Sequence, residues 1–150
     1  MSVEPLLYKS YVAQIKNSPG TKMYQDFFAL VNLEEKNITE NGNLSCAYYV
    51  TSILKNYDLI KNIHITVNST VRDLEASGWQ EVAQESIRAG DVILWCKSEI
   101  AGGIHRHIGF YVGDEQAVSN IYQKKEITQH HYTYDNQRKI EKVFTSQEFN

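Results

Sequence analysis

Apolar residues recur at helical spacing through the first half of the chain and in short extended runs after it. Leu6, Leu7, Tyr11, Val12 and Ile15 share one face of a helix predicted over residues 5–16, and Asn17-Ser18-Pro19-Gly20 ends it with turn chemistry. Tyr24, Phe27, Phe28 and Val31 predict a second helix over residues 23–31. The polar stretch 37–43, with Asn41-Gly42 inside it, reads as a loop, after which Asn43 or Ser45 can cap a further helix. Its apolar stripe is Ala47, Val50, Leu54 and Tyr57, and Cys46 stands at its start. Val71, Leu74 and Ala76 predict a short helix that ends at Gly78.

After Trp79 the period changes. Val92-Ile93-Leu94-Trp95, behind Ala89-Gly90-Asp91, reads as a turn leading into a buried strand, with Asp91 a structural turn carboxylate. Residues 108–112 and 116–122 predict a hairpin around Gly113-Asp114. Residues 127–134 continue as another strand, and 139–144 can close the sheet. Helices first and antiparallel strands afterwards define an α+β class. No internal repeat or low-complexity segment interrupts residues 1–150, so one domain is expected.

Composition changes this picture mainly by exclusion. At 150 residues, with 42% hydrophobic and 22% charged positions, the chain can bury a real core. A formal charge of −3 and the lack of a Lys/Arg stripe exclude the electrostatic footprint of a nucleic-acid binder. No apolar run is long enough to span a bilayer. Met1-Ser2-Val3-Glu4-Pro5 lacks the basic region and apolar run of a secretory signal, so a cytoplasmic protein or export by a signal-independent route is expected. Cys46 and Cys96 are the two cysteines; one bridge makes no disulfide framework, and a nucleophile must stay unpaired.

The candidate chemistry lies in Cys46 and His107. A lone Cys on an apolar helix is ordinarily a small core residue. Here it opens a helix, where roughly half a positive charge favours thiolate, and an imidazole opens the strand His107-Ile108-Gly109-Phe110-Tyr111-Val112-Gly113. A nearby imidazolium favours thiolate further and can protonate a leaving amine, so the two together read as a cysteine hydrolase. Cys96, behind Val92 to Trp95, reads as buried and inert, and His64 as a surface residue of a polar loop. His105 and His107 have the spacing of two imidazoles on one strand face, and His130-His131 offer more. No carboxylate or Cys pattern completes a metal site, so neither a metal nor a cofactor is expected. His105 can line the cleft beside His107 or be solvated, and one of His130 and His131 can approach the site.

The order of helix-borne Cys46-Ala47-Tyr48-Tyr49-Val50, then Gly90-Asp91 with its apolar strand, then His107-Ile108-Gly109-Phe110-Tyr111-Val112-Gly113, resembles the papain-like cell-wall hydrolases of the NlpC type. The residues after Cys46 are also similar to the cysteine-histidine amidohydrolases, the CHAP group. The resemblance covers roughly residues 42–122. It implies a nucleophile helix packed on a small antiparallel sheet or half-barrel, a third polar residue on the strand after His107, and cleavage of amide bonds in peptidoglycan stem peptides. The chain departs from the NlpC pattern in two ways: Ser45 precedes and Ala47-Tyr48 follow the nucleophile where Asp and a Ser-Gly pair are usual, and Val118-Ser119-Asn120 stands where the third catalytic His is usual.

Hairpin register bears on that third residue. A two-residue loop at Gly113-Asp114 pairs Val112 with Glu115 and so His107 with Asn120, whereas a loop one residue longer would shift the register and bring Ser119 to the face of His107. Asn120 is therefore expected to accept the imidazole N–H and fix its tautomer, with Ser119 the alternative. The Cys46 backbone N–H and a side chain upstream, Tyr24 or Asn43, are candidates for an oxyanion hole. The partner expected is a peptide or peptidoglycan fragment. An inactive binding module on the same fold, signalled by Tyr48 or Tyr49 blocking the cleft, or an acyl-transferring thiol enzyme, signalled by an apolar tunnel, are the alternatives.

Overall fold

The computed structural model describes residues 1–40, 42, 44–98, 105–122 and 124–149. Three helices, α1 (Leu7–Asn17), α2 (Cys46–Asn56) and α3 (Val67–Ala76), pack on one antiparallel sheet. A separate hairpin pairs β1 (Phe28–Val31) with β2 (Glu34–Asn37). The main sheet contains β3 (Gln80–Val82), β4 (Val92–Ser98), β5 (His105–Gly113), β6 (Gln116–Ile121), β7 (Glu126–His131) and β8 (Ile140–Thr145), in the order β3-β8-β4-β5-β6-β7. This is the α+β arrangement expected from the pattern. Among the described residues, no helix is long and apolar enough to cross a membrane.

The helix carrying Cys46 is held by its apolar face and by two polar anchors. Ala47, Tyr49, Val50, Ile53 and Leu54 are buried against Ile108, Phe110 and Val118 of the sheet. Tyr49 donates its hydroxyl to Ser18 Oγ at 2.7 Å, because Ser18 spends its own proton on the Ile15 carbonyl. Thr51 Oγ1 accepts the His64 N–H at 3.0 Å. Ser45 is the residue before the helix, but its hydroxyl makes no capping bond, and Asn43, the other expected cap, lies outside the described residues.

The helix expected over residues 23–31 is a hairpin instead. Asn32 and Leu33 adopt φ of 52° and 66°, the left-handed pair that closes a tight turn, and Phe28 pairs with Asn37 and Val31 with Glu34. Asn37 locks the base of this hairpin, accepting the Phe27 N–H at 3.1 Å and donating to Asp26 at 2.6 Å. The apolar residues that suggested one helical face split between two environments: Tyr24 and Phe27 pack on Tyr48, whereas Phe28 is 62% exposed and Val31 37%. Local turn chemistry outweighed a periodicity with no single surface to bury against.

The β5–β6 hairpin also departs from the expected register. Asp114 and Glu115, at φ of 52° and 60°, form the turn, so Gly113 rather than Val112 closes the ladder, opposite Gln116. A bulge between Tyr111 and Gly113 then sets Phe110 against Val118 and Tyr111 against Ala117. That is one residue away from the expected pairing, and one residue exchanges the faces. Asn120 therefore shares the helix-covered face with Val118. Ser119 shares the opposite face with His107.

Candidate active site

Cys46 reaches the site at the first turn of α2, and β5 delivers His107. Both line a cavity of about 740 Å³, together with Leu44, His105, Asn120, His130, Tyr134 and Arg138. The thiol and the imidazole border the same space without being hydrogen-bonded to each other, a separation common in unliganded catalytic pairs that tighten around substrate.

Burial dominates the electrostatics of the pair. It pushes the Cys46 thiol up; the backbone N–H groups of Ile108 and Ala47, the Arg138 charge and the Cys46 N–H pull it back by less. Burial also holds His107 well below the ordinary imidazole range, with Arg138 and His130 adding to the effect. Burial thus opposes the thiolate expected from the helix start and a neighbouring imidazolium, and favours a neutral thiol beside a neutral imidazole, the form in which His107 can accept a proton.

His107 Nε2 lies 3.0 Å from Ser119 Oγ. Asn120 donates its amide to the Gly42 carbonyl at 2.7 Å, tying β6 to the loop ahead of the nucleophile. The expectation that Asn120 orients His107 is corrected by the register: the hydroxyl of Ser119 takes that place. Gly109 makes this contact possible. A Cβ at Gly109 would stand 2.7 Å from the Ser119 Cβ and 3.0 Å from the Trp95 ring. Trp95 stacks on His107 with centroids 5.1 Å apart and an interplanar angle of 28°.

The other candidates divide clearly. His130 lines the cavity and reaches Ser119 Oγ at 2.6 Å, while His131 turns to the β7–β8 loop, where its Nδ1 accepts the Thr133 N–H at 3.2 Å. His105 borders the cavity, and its carbonyl accepts from Arg138 at 3.0 Å. Tyr24 is buried between Tyr48 and Tyr49 in edge contacts and is not among the residues lining the cavity; Asn43 lies outside the described residues. Tyr49 is in the core and Tyr48 packs on Tyr24 and Phe27, so neither blocks the cleft. His64 is not a free surface residue but a partner of Asp73 at 2.6 Å. Among the described residues no cluster of three or more metal-ligating side chains occurs.

The model of the NlpC/P60 family matches residues 39–144, from the loop before the nucleophile to the last strand. The chain belongs to the NlpC/P60 family. The family is a cysteine peptidase and amidase class of cell-wall hydrolase. No curated protein matches the sequence. The structure of NlpC2 from Trichomonas vaginalis is similar in fold, with a TM-score of 0.59 at 14% identity over 97% of this chain. The chain spans 49% of that structure's length.

Within this NlpC/P60 domain, sequence reasoning missed Gly109, Trp95, Tyr134 and Arg138 at the site. Gly109 had a readable signal, an isolated glycine inside a strand, which marks close approach of another backbone. The strand expected over residues 127–134 ends at His131, so Tyr134 lies in the turn that follows, and Arg138 comes from the same loop, where no periodicity places it.

Proposed function

We propose that this domain hydrolyses an amide bond in a peptidoglycan stem peptide, with Cys46 as nucleophile and His107 as the base and acid. The observation that carries this reading is the meeting of the α2 N-terminus and the His107 end of β5 at one open cavity. His107 takes the thiol proton as Sγ attacks the carbonyl carbon. The tetrahedral oxyanion is stabilised by the backbone N–H of Cys46, a kind of donor worth about 3–4 kcal/mol where one has been removed. Collapse breaks the C–N bond as His107 protonates the amine, leaving a thioester on Cys46. Water, deprotonated by His107, then releases the acid and restores the thiol.

The cavity wall favours an anionic peptide over an acyl chain. Lys97, Arg106, Lys124 and Arg138 line it, with no carboxylate among the described lining residues. Arg138 keeps its buried Nε without a partner, and Arg106 is already engaged by Asn68 at 2.8 Å and Glu141 at 2.6 Å. A carboxylate-bearing peptide supplies the charge that this wall lacks. Digestion of purified muropeptides, read by mass spectrometry, tests the proposal. A new pair of masses from the wild type and none from Cys46→Ala is expected; intact muropeptides with both proteins would refute it.

A further inference from the structure

Three groups converge on the Ser119 hydroxyl: His107 Nε2 at 3.0 Å, His130 Nε2 at 2.6 Å and the Tyr134 hydroxyl at 3.0 Å. That hydroxyl has one proton to give, so the direction of each bond is a countable matter. The count starts at the far end. His130 Nδ1 lies 2.8 Å from the His131 carbonyl, and a carbonyl only accepts, so Nδ1 holds the proton. In a neutral imidazole the other nitrogen is then an acceptor, and Ser119 donates to it. Burial, opposed by the bond to the His131 carbonyl and aided by the smaller effects of the His131 and Arg138 charges, pushes His130 down to about 4, which keeps it neutral at pH 7. With its proton committed, Ser119 Oγ accepts from Tyr134 and from His107 Nε2–H. The unprotonated nitrogen of His107 is therefore Nδ1, which has no hydrogen-bond partner among the described residues.

We infer that His130 is a positioning residue that acts through Ser119, holding His107 in the Nε2–H tautomer with Nδ1 free to take the Cys46 proton. The inference rests on the hydrolase reading and adds an outer histidine to it, supplied by the strand beyond the one that carries Ser119. No proton travels along the chain. The thiol proton moves from Sγ to Nδ1 and then to the leaving amine, while Nε2–H stays bonded to Ser119 throughout. The surroundings hold the outer histidine as firmly as the inner one. Tyr134 stacks on His130 at 4.1 Å and 21°, while its hydroxyl closes on Ser119. To reach that position Tyr134 adopts φ of 54°, followed by Asp135 at 55° and Asn136 at 65°. Backbone strain in a bulky residue beside a reacting group marks a position that the fold maintains against local preference.

The test is long-range 1H–15N correlation of the imidazoles in the full chain at pH 7, which needs no substrate. The wild type should show a protonated Nε2 and bare Nδ1 on His107, with the reverse on His130. His130→Ala should leave His107 a mixture of tautomers, and His130→Gln, which restores an acceptor near the Nε2 position, should recover the single form. Turnover should fall about 10- to 100-fold in His130→Ala with KM nearly unchanged, and recover in His130→Gln. A protonated Nδ1 on His107 in the wild type would overturn the inference, as would an unaltered His107 spectrum in His130→Ala. Should a variant fail to fold, the wild-type spectrum alone decides. The expected tautomers without any peptide cleavage would remove the hydrolase reading and leave the relay standing.

Discussion

His64 and His107 are both half-buried imidazoles with a close hydrogen-bonded partner, yet their regions serve different ends. His64 meets the carboxylate of Asp73, which also accepts the Lys61 and Asn62 N–H groups at 3.1 and 3.0 Å and the Ser77 hydroxyl at 2.9 Å. That cluster fastens the loop after α2 to α3, and every oxygen of its carboxylate is used. His107 meets a hydroxyl instead, and its Nδ1 has no hydrogen-bond partner among the described residues. Burial at the second site favours the neutral imidazole. The first region spends a buried carboxylate on fastening two segments together, whereas the second gathers imidazoles and a thiol around an open cavity.

Substitutions that treat the two regions alike should separate them sharply. His107→Ala should lower turnover by about 10²–10⁴-fold, the ordinary range for a general acid–base group, in a steady-state muropeptide assay. Ser119→Ala should lower turnover by about 10- to 100-fold, and Asn120→Ala by clearly less, because Asn120 bonds Gly42 rather than His107. The opposite ranking would mean that the bulged register does not govern the site. Asp73→Asn should leave turnover intact and cost about 1–3 kcal/mol of stability in urea unfolding.

The smallest expected difference lies in the acid limb of stability. Burial raises Asp73, but the hydrogen bonds from His64, Lys61, Ser77 and Asn62 outweigh it and leave the carboxyl below 3.8. A depressed acid contributes stability above its unfolded value and loses it only as pH falls through the folded one. His130 is a base depressed from 6.5 to about 4, so its contribution is lost earlier, as pH falls from 6.5 toward 4. Thermal melts from pH 7 to 3 should therefore show the early loss reduced in His130→Gln and the late loss reduced in Asp73→Asn. Identical curves for the two variants would erase the distinction between the regions.

The parts of this fold that sequence pattern made legible are those buried on one face. The α2 stripe, β4 and the His107 strand have long apolar runs whose period is enforced by the core they share. The region over residues 23–31 misled because Tyr24 is buried and Phe27 half-buried ahead of the hairpin while Phe28 and Val31 within it are exposed, so the periodicity there records no single buried face. Asn120 misled for a different reason: the side-chain alternation of β6 was correct, but a turn at Asp114-Glu115 and a single bulge reversed its faces. The charge state of Cys46 was misjudged because a helix terminus and a neighbouring imidazole are visible in sequence, whereas desolvation is not. Tyr134 and Arg138 were invisible because a strained loop, not an element, brings them in.

The central claim is that Cys46 and His107 rest as a neutral pair, with the imidazole drawing the proton off the thiol only as attack begins. Alkylation of Cys46 by iodoacetamide across pH 4 to 11, in the wild type and His107→Ala, tests it most directly. For a neutral pair the rate should climb through neutral pH and level off only above the ordinary thiol value of 9.0. A plateau already reached well below pH 7, and lost in His107→Ala, would instead reveal a resting thiolate–imidazolium pair and contradict it.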